Sequence, residues 1–287
     1  MNTSIINPFI IKNAINTCYI DSLLMSLFYE KSIIETLLDN NVDSTDIIYL
    51  QEYIKNYFID NIRKNKSITE DKINMIRTLI FQIGWKTDNE FFNQQDIKEF
   101  YKFLMNKLNG ELIEIEKTTK IENNYITEIE KIPYISLDIK ENYKSISIKQ
   151  LLNEWTNNNY KKKINKNGEE YEINCLNRNQ IINYPKIIAI VINRINDSIT
   201  DIIIQNKISP INKLYNTTDW IFHSAVCYKN NKQGHYYSLI RINNTNSEFY
   251  IFDDLSIPCM TKIDLSDDNI SSMIKRECKL LIYKRSY

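Results

Sequence analysis

The sequence predicts an α+β chain of two lobes, helical at the front and strand-rich behind, and three observations carry that expectation. Apolar residues recur at helical spacing through the front part, as in Ile73, Ile76, Leu79, Ile80 and Ile83. From Leu112 the pattern changes to short alternating or continuous β-type runs. A chain of 287 residues, 43% of them hydrophobic, can furnish a core for each lobe. The switch near Gly110 is the expected boundary, giving a single domain over 1–287 with a helical lobe at 1–110 and a β-rich lobe at 111–287.

In chain order, Ile20, Leu23, Leu24, Leu27 and Phe28 form the stripe of an amphipathic helix that starts at Cys18, with Thr17 placed to cap it. Ile97, Phe100, Leu104 and Leu108 form a later stripe. The expected strands run over 134–139, 186–192, 235–242 and 248–252. One helix interrupts them, where Ser147 and Gln150 make a capping-box pattern ahead of Leu151, Leu152 and Trp155. The run from Tyr160 to Glu170, basic and then acidic, reads as a solvated hairpin tip, and no internal repeat is found.

Chemistry concentrates at three places. A thiol at the start of a helix has its pKa lowered by the helix N-terminus, which makes Cys18 a candidate nucleophile. Asn13, five positions upstream, offers a side-chain amide that can donate to an oxyanion alongside the backbone N–H of Cys18. Of the two histidines, His223 reads as a strand or surface residue. His235 follows Gly234, which allows close backbone approach by a substrate, and begins an alternating strand. The next strand ends in Asp253 and Asp254, so a carboxylate is available to orient the imidazole. Either of the two adjacent carboxylates, Asp253 or Asp254, can take that role.

These segments resemble the sequence boxes of the ubiquitin-specific proteases. NAINTCY is similar to their Cys box, and GHYYSL with FYIFDD is similar to their His box. NQQDIKEFYKFLMNKL, from Asn93, resembles their QQD helix, while YPKIIAIVINRI and KLLIYKR resemble their later strands. The order is the family's and the match extends from about Asn7 to Arg285. The resemblance implies a papain-like cysteine protease fold with helical thumb, β-sheet palm and short fingers around 112–133 and 157–184. It implies a deubiquitinating thiol hydrolase that cleaves the bond after the C-terminal glycine of ubiquitin, with Cys18, His235 and Asp253 as catalytic set. Asp96 resembles the carboxylate that holds ubiquitin's basic tail in an acidic, narrow channel, and Gln95, Gly234 and Tyr236 complete the expected substrate-binding residues.

The chain also departs from the pattern. Ile15 stands where the family has glycine, Gln233 where a second glycine commonly precedes the histidine, and Lys229 lies in the loop expected at 228–232. These changes keep two alternatives open: a catalytically weak ubiquitin-binding module, or a protease for another ubiquitin-like modifier. The zinc ribbon of many relatives has no counterpart here. The five cysteines, Cys18, Cys175, Cys227, Cys259 and Cys278, form no C-x-x-C pair, so neither a zinc site nor a disulfide framework is expected, and no cofactor is. Equal numbers of basic and acidic residues, 36 each, leave no basic field for nucleic acid. The start of the chain has no basic segment followed by a long apolar core, and the longest apolar run, Ile187 to Ile192, is far too short to span a bilayer. The expectation is a soluble, intracellular protein, cytoplasmic or nuclear, whose partners are ubiquitin and ubiquitinated proteins.

Overall fold

The computed structural model describes residues 9–86, 88–121, 124–139, 143–166, 169–195, 199–209, 219–230, 234–242 and 248–286, with the backbone alone over 159–174. Helix α1 (Cys18–Phe28) begins where the apolar stripe does, but every one of its residues is buried. It is therefore not amphipathic in the expected sense. Its polar side lies against the sheet: Ser224 and Ser238 donate to the carbonyls of Ser26 and Ser22, each at 2.7 Å. Small serines on the helix permit that close approach, and the bonds satisfy polar atoms that would otherwise be buried without partners.

A continuous helical rod follows, α2 (Thr45–Tyr53), a wide π-helical turn (Ile54–Ile59) and α3 (Asp60–Arg63), none of it anticipated from the sequence. The two predicted stripes become α4 (Glu70–Gln82) and α5 (Ile97–Lys107), which bury Ile73, Ile76, Leu79 and Ile80 and Ile97, Phe100 and Leu104 of the pattern, along with Arg77, Phe81, Tyr101 and Met105.

The rest of the chain is mostly strand. β1 (Ile113–Ile121), β2 (Asn124–Ile132), β5 (Asn157–Lys166) and β6 (Glu169–Ile181) form a four-stranded antiparallel sheet in the order β2-β1-β6-β5. The segment expected as a hairpin tip is strand up to Lys166, and the turn itself lies outside the described residues. Its register sets Lys163 opposite Glu172 and Lys166 opposite Glu169, so the basic and acidic runs face each other across the pair.

The larger sheet contains β3 (Ile135–Ile139), β7 (Ile187–Arg194), β10 (Trp220–Lys229), β11 (His235–Ile242), β12 (Glu248–Phe252), β13 (Met260–Ile263) and β14 (Cys278–Arg285), in the order β13-β12-β11-β10-β14-β7-β3, with β9 (Lys207–Ile208) paired to β10, while β4 (Ser145–Ser147) and β8 (Asp201–Ile203) form a separate parallel pair. Ile187, Ala189 and Val191 pack toward the helical core with Leu280 and Ile282. Ile188, Ile190 and Ile192 pack the other way with Leu281 and Tyr283, into a second core. That second core takes in residues of α6 (Ile148–Thr156) and α7 (Asp268–Glu277). A sheet covered on both faces needs apolar residues at successive positions, which is why β7 and β14 read as continuous runs. Ser147 caps α6 by accepting from the backbone N–H of Gln150 at 3.1 Å. Among the described residues no helix is long and apolar enough to cross a membrane.

Candidate active site

The segment leading into α1 has an unusual backbone. Ile15 and Asn16 have φ of 46° and 59°, in the left-handed region, so the glycine of the family pattern corresponds to a real conformational demand. A β-branched residue there carries strain of about 1–3 kcal/mol. Neighbouring groups hold it in place: Arg77 Nη1 donates to the Ile15 carbonyl at 2.8 Å, and Asn16 Nδ2 donates to the Phe92 carbonyl at 2.9 Å. Thr17 occupies the N-cap position with φ −87° and ψ 0°, and its hydroxyl does not cap the helix as expected. Instead it accepts from the Ala14 N–H and donates to Asp21 Oδ2, each at 3.0 Å.

Cys18 is 3% exposed. Gln94 Nε2 donates to its sulfur at 3.7 Å, and the backbone amides of Tyr236 and Tyr19 also favour its anion. Those donors favour a thiolate, yet burial pushes the Cys18 thiol up to about 12, helped by the negative potential of the Asp254 and Asp21 carboxyl pair, which need carry only one charge between them. The expected lowering by the helix start is outweighed by desolvation. This setting favours the neutral thiol of Cys18 at rest. Alkylation by iodoacetamide is predicted to be slow at neutral pH and to rise with pH through the alkaline range. A fast plateau already reached below pH 6 would show a preformed thiolate instead.

His235 opens β11, and Asp253 and Asp254 follow the last residue of β12, its neighbour in the sheet. His235 Nε2 lies 2.8 Å from Asp253 Oδ1 and 3.6 Å from Asp254 Oδ1. Lys229 is not a loop residue: it ends β10, directly opposite His235, and its ammonium donates to Asp253 Oδ2 at 3.0 Å. Burial alone would raise the Asp253 carboxyl, but the bonds from His235 and Lys229 outweigh it and hold the group well below the usual carboxylate range. Asn13 Nδ2 donates to Asp254 Oδ2 at 2.5 Å. The His235, Asp253 and Asp254 ligand atoms are close enough together to hold a cation, but Lys229 and Asn13 already occupy the outer carboxylate oxygens.

Gly234 has φ 64°, and a Cβ there would sit 2.1 Å from Tyr228 Oη and 2.9 Å from Gln94 Oε1. The protein's own side chains thus fill the space expected for substrate. Gln233 lies outside the described residues. His223 is in a strand, β10, but is 1% exposed rather than at the surface; burial pushes it down to about 3, so it is neutral.

A cleft of about 470 Å³ is lined by Gln94, whose amide lies 3.7 Å from Cys18 Sγ, by Gln95 and Asp96 ahead of α5, and by Tyr228 and Tyr236. Tyr236 Oη accepts from the Ile97 N–H at 3.4 Å, tying the sheet to α5. Asp96 Oδ1 caps α5 by accepting from the N–H groups of Lys98 and Glu99. Gln95 Nε2 donates to the Glu90 carbonyl at 3.1 Å. The lining is not dominated by acid as expected: Asp96 faces it together with Lys98, Arg194 and Lys279.

The family model described as ubiquitin carboxyl-terminal hydrolase matches residues 10–283. The chain belongs to this family. It is a deubiquitinating hydrolase of the cysteine type. The fold is shared with the SAGA Ubp8/Sgf11/Sus1/Sgf73 module bound to ubiquitin aldehyde, at 15% identity, with TM-score 0.68, covering 100% of this chain and 72% of the other. A variant of that module bound to monoubiquitin gives TM-score 0.69 with the same identity and coverage. No curated protein sequence matches the chain.

In this ubiquitin carboxyl-terminal hydrolase, the sequence-selected Asn13, His235, Asp253 and Asp254 are linked by short polar contacts at the ends of adjacent strands and the loop before α1. Several contributors were not selected. Gln94 is nearer the thiol than Gln95, but two adjacent glutamines give no sequence signal for which one faces inward. Asp21, fully buried on α1, falls off the apolar stripe and so looks like a solvent-facing residue. In the sequence Lys229 shows only as a departure from the family pattern; its contact to Asp253 depends on the pairing of distant segments.

Proposed function

We propose that the hydrolase cleaves the amide or isopeptide bond after the C-terminal glycine of ubiquitin, with Cys18 as nucleophile, His235 as base and Asp253 as its orienting carboxylate. The observation that carries this reading is the short His235–Asp253 contact on the sheet against which the Cys18 helix is clamped. Asp253 on Nε2 keeps the neutral ring's proton there and leaves Nδ1 as the acceptor. Nδ1 takes the thiol proton as Cys18 Sγ bonds to the carbonyl carbon, and the carbonyl electron pair moves onto oxygen. Asn13 has two amide hydrogens; one is held by Asp254, and the other stabilises the oxyanion together with the Cys18 N–H. Collapse breaks the C–N bond, and His235 returns its proton to the leaving lysine amine. Water then hydrolyses the thioester and restores the thiol.

The cleft lined by Gln94, Asp96 and Tyr236 is the route for ubiquitin's tail, since Gln94 lies 3.7 Å from Cys18 Sγ and the related Ubp8 module is bound to ubiquitin. The chain acts as a single catalytic domain with lobes at 1–110 and 111–287, working inside the cell, in cytoplasm or nucleus. Fluorogenic C-terminal amides test the substrate: ubiquitin amide is expected to be turned over in preference to the same amide of other ubiquitin-like modifiers. The reverse order would reassign the substrate.

The two aspartates separate in the same assay. Asp253→Ala is expected to lower turnover about 10- to 1,000-fold, because ring orientation and imidazolium stabilisation are both lost. Asp253→Asn retains a group that can hold the ring and should cost less. Asp254→Ala should be milder than Asp253→Ala; the opposite order in folded protein would exchange their roles.

A further inference from the structure

Asp21 and Asp254 are two buried carboxyl groups in contact, and the mechanism uses only one of them. Among the described residues, Asp21 Oδ1 and Asp254 Oδ1 are both shielded from solvent without a hydrogen-bond partner, with His235 Nε2 3.6 Å from the latter, and the two carboxyl groups lie within interaction range of each other. Their outer oxygens are engaged: Thr17 Oγ1 donates to Asp21 Oδ2 and Asn13 Nδ2 donates to Asp254 Oδ2. Two facing carboxylates in low dielectric repel strongly, and a single shared proton turns that repulsion into a hydrogen bond.

We propose that Asp21 is a positioning residue that retains a proton and donates it to Asp254, leaving Asp254 an anion aimed at Asn13. The resulting ring runs from the Ala14 N–H to Thr17, from Thr17 to Asp21, from Asp21 to Asp254, and from Asp254 back to Asn13. It closes on the segment that contains the left-handed Ile15 and Asn16 and so fixes the oxyanion donor despite the absent glycine.

The groups around the pair decide which member holds the proton. Burial raises Asp254 as well, with Asp253 adding to it, but His235, the Asn13 N–H and Asp21 all act to favour its anion. Asp21 has the Thr17 hydroxyl and the more remote Arg77, whose own bonds go to the Ile15 carbonyl and Asn74. Cys18, Tyr19 and Cys259 are the remaining titratable neighbours, and burial keeps all three neutral. Burial is also the largest influence on Asp21 itself and raises it well above the ordinary carboxylate value, followed by Asp254.

Asp21→Asn tests this, because its amide can donate to Asp254 and accept from Thr17 without titrating. An acid whose folded pKa is raised contributes stability fully present below the unfolded value, about 3.9, and lost as pH rises through the folded value. The melting temperature of Asp21→Asn minus that of wild type should therefore become more positive as pH rises from about 4 toward the raised folded value. A difference independent of pH would overturn the proton assignment. The activity arm rests on the proposed function. With fluorogenic ubiquitin amide, Asp21→Asn should keep kcat within about threefold, whereas Asp21→Ala should lose roughly 10- to 100-fold in kcat with KM nearly unchanged, through a misplaced Asn13. Equal losses in the two variants would overturn the positioning role. If Asp21→Ala does not fold, Asp21→Asn alone decides, since its kcat must hold and its melting difference must grow with pH. The melting comparison uses no substrate, so absent wild-type turnover would count against the proposed function and not against the shared proton.

Discussion

Cys18→Ala is expected to abolish turnover of fluorogenic ubiquitin amide, with a loss of roughly 10⁴-fold or more, because no other group near the site can form the thioester. The other four cysteines are all buried, in places apart from the His235–Asp253 pair or, for Cys259, bonded to the backbone of Ile11. The substitution removes only a sulfur from a well-packed helix start, so the fold should survive and the loss should lie in kcat. Residual turnover above about one per cent of wild type, in protein free of contaminating hydrolase, would mean that the nucleophile is elsewhere.

Asn13→Ala should come next, at about 10² to 10³ in kcat with little change in KM, the usual cost of removing one oxyanion donor. Here the change has a second consequence. Asp254 would lose the N–H that satisfies its outer oxygen at 2.5 Å and would be left a half-paired buried carboxylate. Asn13→Asp should be worse still, since it brings a third carboxyl to the Asp21–Asp254 pair. A loss smaller than tenfold in Asn13→Ala would remove Asn13 from the oxyanion site and leave the Cys18 and Tyr19 backbone groups to do that work.

The legible parts of this molecule were those written in period and spacing. The apolar stripes of α4 and α5 and the runs of β7, β11 and β12 correspond closely to buried positions, because burial is what the period records. The rod from Thr45 to Arg63 was missed since a π-helical turn shifts its register in the middle. Helix α1 was read as one-sided, but its polar residues are buried against serines more than 190 positions away, a contact no local pattern can signal. Electrostatics were the least legible. The helix start suggested a lowered thiol, whereas the enclosed setting raises it, and enclosure is a property of the assembled lobes. Likewise Lys229 reaches Asp253 only because β10 and β11 place it opposite His235.

The most direct test of the central claim is covalent capture by a ubiquitin probe carrying an electrophile in place of its terminal carboxylate. Under reducing conditions the wild-type protein is expected to form a single adduct, mapped by peptide mass to Cys18, and the Cys18→Ala variant none. Wild-type protein that stays unlabelled while folded, or an adduct on any other cysteine, would contradict the assignment of Cys18 as the nucleophile of a ubiquitin-directed hydrolase.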